Sequence, residues 1–448
     1  MKILSYIHVL VFLGLSVFAQ AQDLEKNLSL REALELADQG NWDVLRSMEY
    51  LEQSHGSLKE SNTLFLPQVR FSETYTTTTD PLMVFGFKLK QEITEIADFD
   101  PESLNNPERI ENFNTRIEVA QPLINLDGLW RRKAALAQTE NSEESHRWTK
   151  SLVNLQTKTL YFKLQLISSE VSVLEKMHEA SMENSQNALN LFEEGMVSKS
   201  DLLAAQLRTT EYESALLDLE NQKFRINADL LHYLQLPSDL ELIPTDSIDP
   251  QLMELLLPQI SEVPETRADL KALNSQLEAS EYELKSLQYA HLPRVNLVGS
   301  YEWNDQVFFG NNASNYMVGA SLTWDLFQGG SRAGKMQQAK SSTRIADLNY
   351  REKLSQSNSE LRHLRNQIQL TSKQLELADL AEEQSSESFT IISDRYAEGL
   401  EKTSDLLSAE AELLDKKLWK LKIQNQYQQL IFQYELLSDQ SLIINNLN

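Results

Sequence analysis

The sequence predicts an α+β chain made of two very long antiparallel helical hairpins and four short strands of membrane length. Three observations predict it. The 448 residues hold only 13 Gly and 11 Pro, unevenly placed. No proline lies between Pro122 and Pro237, and from Trp130 to Leu236 the only glycine is Gly195. From Lys335 onward there is no proline, and the only glycine is Gly399. Such stretches, rich in Leu, Glu, Gln, Lys and Ala, form long helices. The second observation is that four other segments alternate apolar and polar residues with the period of a strand. The third is that the chain repeats itself.

In chain order, Lys2, the apolar run Ile3 to Ala19 and the small-residue site Ala19-Gln20-Ala21 read as a signal peptide over 1–21. The mature chain then begins near Gln22, outside the cytoplasm. A transmembrane anchor is disfavoured, because the run is short and a polar segment follows at once. The absence of cysteine excludes disulfides, thiolate metal sites, a cysteine nucleophile and a lipidated cysteine. No later run reaches the apolar length of a membrane helix. If the mature chain spans a membrane, it does so with strands.

A first repeat over 22–236 reads helix, strand pair, long helical hairpin. Its strand pair lies within 67–123, where Val69, Phe71 and Tyr75, then Ile117 and Val119, alternate with polar residues. Between them runs a loop over 80–112, of a length that is usually either functional or disordered. Its acids and Phe85, Phe87, Phe99 and Phe113 suggest a lid over one mouth. The helix from about Leu129 would run roughly 100 Å at 1.5 Å per residue. Leu152, Leu155, Phe162, Leu166 and Val173 suggest its seam. Leu203, Leu207, Leu217, Phe224 and Leu231 suggest the seam of the returning helix, beyond a turn near 195–200.

A proline-rich linker over 237–264 separates this half from a second repeat over 265–448. There the strand pair lies within 293–327, with Val295, Leu297, Tyr301, Trp303 and then Tyr316, Val318, Leu322, Trp324 alternating. A short turn at Gly310-Asn311-Asn312 joins them. Another hairpin turns near 399–404. The halves echo each other in Leu66-Pro67 and Leu292-Pro293, in Phe192-x-x-Gly195 and Tyr396-x-x-Gly399, and in Ser200-Asp201-Leu202-Leu203 and Ser404-Asp405-Leu406-Leu407.

Four strands cannot close a barrel, and bare edges are not tolerated in lipid. If the strands lie in a membrane, copies of the chain must therefore share one barrel; the other reading of the same alternation is a pair of soluble hairpins with one wet face. Two would give eight strands and three would give twelve.

These motifs, with Gln121-Pro122-Leu123, Leu326-Phe327-Gln328-Gly329-Gly330 and Arg267-Ala268-Asp269-Leu270, carry a resemblance to the TolC-type outer-membrane efflux proteins. It covers nearly the whole mature length. The resemblance implies a homotrimer, with a twelve-stranded barrel in outer-membrane lipid continued by a helical tunnel across the periplasm. It implies a passive exit duct for small molecules or polypeptides. A periplasmic adaptor would link the duct to an inner-membrane transporter.

By the same resemblance, gating belongs to the helical tip around Gly195 and Gly399. Asp405 falls on the position of an entrance aspartate, Asp201 on its first-repeat partner and Tyr396 on a tyrosine that locks the closed state. Ser408 replaces a second aspartate and Glu401 a locking arginine; Lys402 and Lys199 are nearby cations. Both aspartates also start helices, where an acid favours the free N–H groups.

The 41 Lys+Arg against 66 Asp+Glu leave a net charge of −25, which argues against a nucleic-acid partner. No enzyme is expected, since Walker A, H-E-x-x-H, G-x-S-x-G and G-x-G-x-x-G motifs are absent. The scattered histidines imply no metal, and no cofactor is called for. The rival readings are a periplasmic coiled-coil adaptor and an envelope scaffold without a pore. The first needs one hairpin and soluble β domains; the second needs no strand pairs.

Overall fold

A computed structural model describes residues 25–246 and 260–440. The signal-peptide segment and the middle of the linker, with Pro250 and Pro258, lie outside the described residues. Each half contributes two strands to one antiparallel sheet. Strands β2 (Gln68–Thr78), β3 (Ile110–Ile124), β5 (Arg294–Asp305) and β6 (Ala313–Thr323) are hydrogen-bonded in the order β2-β3-β5-β6. The repeats therefore meet at β3 and β5, with Ile117 opposite Tyr301, and β2 and β6 are left as edges.

The register sorts the side chains onto two faces. Val69, Phe71 and Tyr75 of β2 share a face with Ile117 and Val119 of β3, Leu297 and Tyr301 of β5, and Tyr316, Val318 and Leu322 of β6. All of these are exposed. The opposite face carries Arg70, Thr74, Asn114, Arg116, Glu118, Glu302, Asn304 and Ser321. A sheet with one exposed apolar face and one charged face suits lipid outside and water inside. Aromatics crowd the loop end of the apolar face: Tyr75 lies 4.9 Å from Phe113, Phe113 5.9 Å from Phe308 and Phe71 6.1 Å from Phe309. Phe113 thus belongs to an aromatic girdle and not to the expected lid.

Below the sheet, α5 (Leu126–Glu193) and α6 (Lys199–Leu234) form the first long hairpin. The second is α8 (Ser331–Ala397) with α9 (Thr403–Ser438). Shorter helices α1 (Leu30–Gly40), α2 (Trp42–Ser61) and α7 (Ala268–Tyr289) complete the wall next to the sheet. Packing runs α2–α5–α7–α8 in the upper half and α6–α5–α9–α8 in the lower, the same order as the strands. Among the described residues, no helix is long and apolar enough to cross a membrane.

The main core lies where α1, α5, α6 and α9 converge, around Tyr161, Phe162, Leu230, Ile431 and Phe432. Glu241–Pro244, expected to be linker, is instead strand β4, paired in parallel with β1 (Glu25–Leu28). The Tyr161 hydroxyl secures this joint, donating to the Leu28 carbonyl at 2.9 Å and accepting from the Thr245 N–H at 3.0 Å.

The helix seams need a correction. Phe162 and Leu231 are buried, but Leu152, Leu203, Leu207, Leu217 and Phe224 are exposed. The seams inside the chain run through Val153, Leu164, Ile167, Val171 and Leu174 on α5, and through Leu202, Ala205 and Tyr212 on α6. Both helices carry two apolar stripes, and periodicity alone does not say which one a neighbour in the same chain covers.

Candidate functional site: the helical tip

Both hairpins turn by the same device. The N–H of Met196 bonds the Leu191 carbonyl at 2.8 Å, and that of Leu400 bonds the Arg395 carbonyl at 2.9 Å. Gly195 and Gly399 sit between these bonds at φ 74° and 72°, where a side chain is strained. The two turns also touch. A Cβ on Gly399 would meet the Met196 Cε at 2.8 Å, so a larger residue there must push aside the Met196 side chain of the first turn.

Tyr396 is buried at this junction with Leu191 and Leu406, flanked by Val197, Phe389 and Ile392. Its hydroxyl lies 3.2 Å from the Thr403 hydroxyl. Within one chain it binds the two hairpin tips together. Glu401 pairs with Arg395 at 2.9 Å, a cation that sequence reasoning passed over. Lys402 is the N-cap residue of α9 and Lys199 opens α6. The Ser408 hydroxyl is spent on the Ser404 carbonyl at 2.8 Å.

The two aspartates, duplicates in sequence, are treated differently. Asp201 closes a capping box: its carboxylate accepts the Ser198 N–H at 3.0 Å and the Ser198 hydroxyl at 2.7 Å. These bonds hold its carboxyl below the usual range. In the second repeat Lys402 stands where Ser198 stands in the first, so no side chain caps α9. Asp405 is exposed, and its carboxylate accepts only the Ser404 hydroxyl at 3.3 Å. The substitution at the cap position frees one aspartate of the pair for solvent.

A buried carboxylate one turn beyond Asp405 was missed. Glu410 is fully buried between the hairpins, accepting from Asn184 Nδ2 of α5 at 3.0 Å. Arg208 and Tyr212 of α6 are its other polar neighbours. Arg208 Nε is buried without a hydrogen-bond partner. Arg208 is turned outward to Glu211 at 3.2 Å. The 4-3 spacing of Leu406, Glu410 and Leu413 is the signal that would have placed Glu410 in a seam.

Burial pushes the Glu410 carboxyl above its usual value. A docked seam therefore pays nothing while both states are protonated, and loses stability as pH rises from the ordinary glutamate range toward the raised value. Asp201 has the opposite sign, its contribution fading as pH falls below the ordinary aspartate range. Glu410→Gln should remove the loss on the alkaline side and leave the acid-side loss in place. Thermal unfolding followed across pH separates the two; an unchanged profile would show that Glu410 does not titrate in the seam.

The described residues hold no cluster of His, Asp and Glu able to bind a metal. Comparison with known proteins identifies the architecture. No curated protein matches the chain. The model of the outer membrane efflux protein family matches residues 33–234 and 259–431. Among solved structures, the outer-membrane channel OprN superposes with a TM-score of 0.76 at 17% identity, covering 92% of this chain and 90% of its own. VceC of Vibrio cholerae gives 0.74 at 16% identity, with 91% and 94% covered. The CmeC channel of Campylobacter jejuni gives 0.75 at 17%, with 91% and 85% covered. A two-faced sheet over two stacked hairpins, with the family match running through both halves, places this chain in the outer membrane efflux protein family, as an exit duct of the outer membrane with a tunnel in the periplasm.

Proposed function

We propose that three copies close one duct, gated at the helical tips and serving an inner-membrane transporter through a periplasmic adaptor. The observation that carries this reading is that the chain has two complementary open sides. One side presents edge strand β2, helix α2 with Trp42 and Met48, and α6 with Leu207, Leu217 and Phe224. The other presents edge strand β6 and α8 with Ile345, Leu348, Leu370 and Leu377. Strand meets strand and apolar helix meets apolar helix when the first side of one copy joins the second side of the next. Such a heterologous contact closes into a ring when the rotation between copies divides the circle, which a shared barrel requires. It also pairs the bare strand edges, which lipid requires. An adaptor or a scaffold would need neither the edges nor the apolar sheet face.

At the tip, the exposed Asp405 supplies a carboxylate ring, while Tyr396 and Asp201 brace the hairpin ends. Like charges brought together at a constriction attract cations. Single-channel recording of the purified protein in a planar bilayer tests this. A cation-preferring pore blocked by multivalent cations from the tip side is expected. Asp405→Ala should weaken both properties at a folding cost of only about 0.3–1 kcal/mol, the worth of a first-turn acid. Selectivity and block unchanged in the variant would remove Asp405 from the entrance.

A further inference from the structure

We infer that the insertion between β2 and β3 is a surface that meets two other copies of itself and closes the outer mouth of the barrel. The inference rests on the shared-barrel reading above and adds a barrier at the end opposite the tip.

The two loops at this end of the sheet fold to opposite faces. The β5–β6 loop carries Phe308 and Phe309 onto the apolar face, against Phe113 and Phe71. The insertion folds onto the polar face, which lines the lumen. Its first helix α3 (Pro81–Lys90) is anchored there by Lys90, 2.9 Å from Glu302 of β5. The next residue, Gln91, is buried and donates to the Glu111 carbonyl and to Asn112 Oδ1, each at 2.8 Å. Asn112 and Asn114 each donate to Asn304 Oδ1 at 3.1 Å. Asn112, Asn114, Glu302 and Asn304 all belong to the lumen face by register.

Lys88 points the other way, since residues two apart on a helix diverge by about 160°. It pairs with Asp98 at 2.6 Å. With the edge-on contact of Phe85 and Phe99, this holds the segment from Ile96 to Asn105 against the side of α3 turned from the wall. Each chain thus projects two layers from its wall over the lumen.

That projection is apolar where it is free. Leu82 is 85% exposed, Ile96 93% and Phe99 60%, on a segment otherwise rich in acids. A water-filled mouth gives such residues no reason to stand out, and lipid lies on the far side of the wall. Ring closure brings three of these projections to the axis, where they cover one another.

The chain has no cysteine, so single thiols report on access. Met317→Cys places one on the lumen face of β6, and Val318→Cys places one on the lipid face. Intact cells carrying the full chain are treated from outside with a small charged methanethiosulfonate or with a bulky polyethylene-glycol maleimide. The small reagent is expected to label Met317→Cys and the bulky one to be excluded. Excising 83–106, or combining Lys90→Glu with Leu82→Asp and Ile96→Asp, should abolish this size discrimination. The point variants put like charges at the anchor and at the apex without shortening the chain. Bulky labelling through the intact insertion, or discrimination surviving both changes, would overturn the inference. If Val318→Cys is the thiol that the small reagent labels, the barrel reading itself fails.

Discussion

Leu217→Glu combined with Phe224→Glu should abolish assembly and leave each chain folded. The two side chains are 63% and 69% exposed, so they contribute little to their own chain's core. Covering them against the next copy is worth about 1.5–3 kcal/mol each. Each closed ring would contain three such contacts, and a carboxylate desolvated against α8 of the neighbour adds a further cost. The expected outcome in detergent is a helical monomer by circular dichroism and mass. A variant that keeps the mass of the parent would show that this stripe faces something other than a second copy.

Asp269→Ala should produce the largest loss of stability of any single substitution proposed here. Arg267, 1% exposed, is held by both oxygens of Asp269 at 2.6 and 2.8 Å and donates to the Ser357 hydroxyl of α8 at 2.7 Å. Its guanidinium lies over the Trp148 ring of α5 at 5.2 Å. One ion pair therefore ties α5, α7 and α8 at the level where the hairpins join the upper wall. Removing its acid strands a buried cation, at about 3–5 kcal/mol. Replacing both partners, as Arg267→Met with Asp269→Leu, should recover most of that loss. Denaturant unfolding of the two variants measures the difference. Equal losses would mean that the charges are not what holds the joint.

That pair illustrates how the sequence was legible and where it was not. Arg267-Ala268-Asp269-Leu270 is visible as a motif, but its partners Ser357 and Trp148 are brought to it only by the fold. The breakers, the strand alternation and the duplicated tip motifs suffice for the elements and their order, because each is a local property of the chain. Which apolar stripe of α6 faces its own hairpin is not local: Leu202 and Leu203 are adjacent and equally apolar, yet the first is buried and the second exposed. The short strand β4 was missed because four residues ending in Pro244 carry too little pattern, and its partner β1 lies more than 200 residues away.

At the tip, the likeness of Ser200-Asp201 to Ser404-Asp405 concealed a difference in helix capping. It arises two residues earlier, where Ser198 caps one helix and Lys402 cannot cap the other. Glu410 escaped notice for a different reason. In a helix with many acids, a buried one is distinguished only by the spacing of its apolar neighbours.

The mass of the full-length protein extracted in detergent and held in its native state tests the central claim most directly. Two open strand edges, and apolar helix faces on the same two sides, require that copies of the chain share one barrel, and the proposed number is three. The expected result is a single trimeric species that forms channels when returned to a bilayer. A monodisperse monomer that inserts into bilayers and conducts would contradict it.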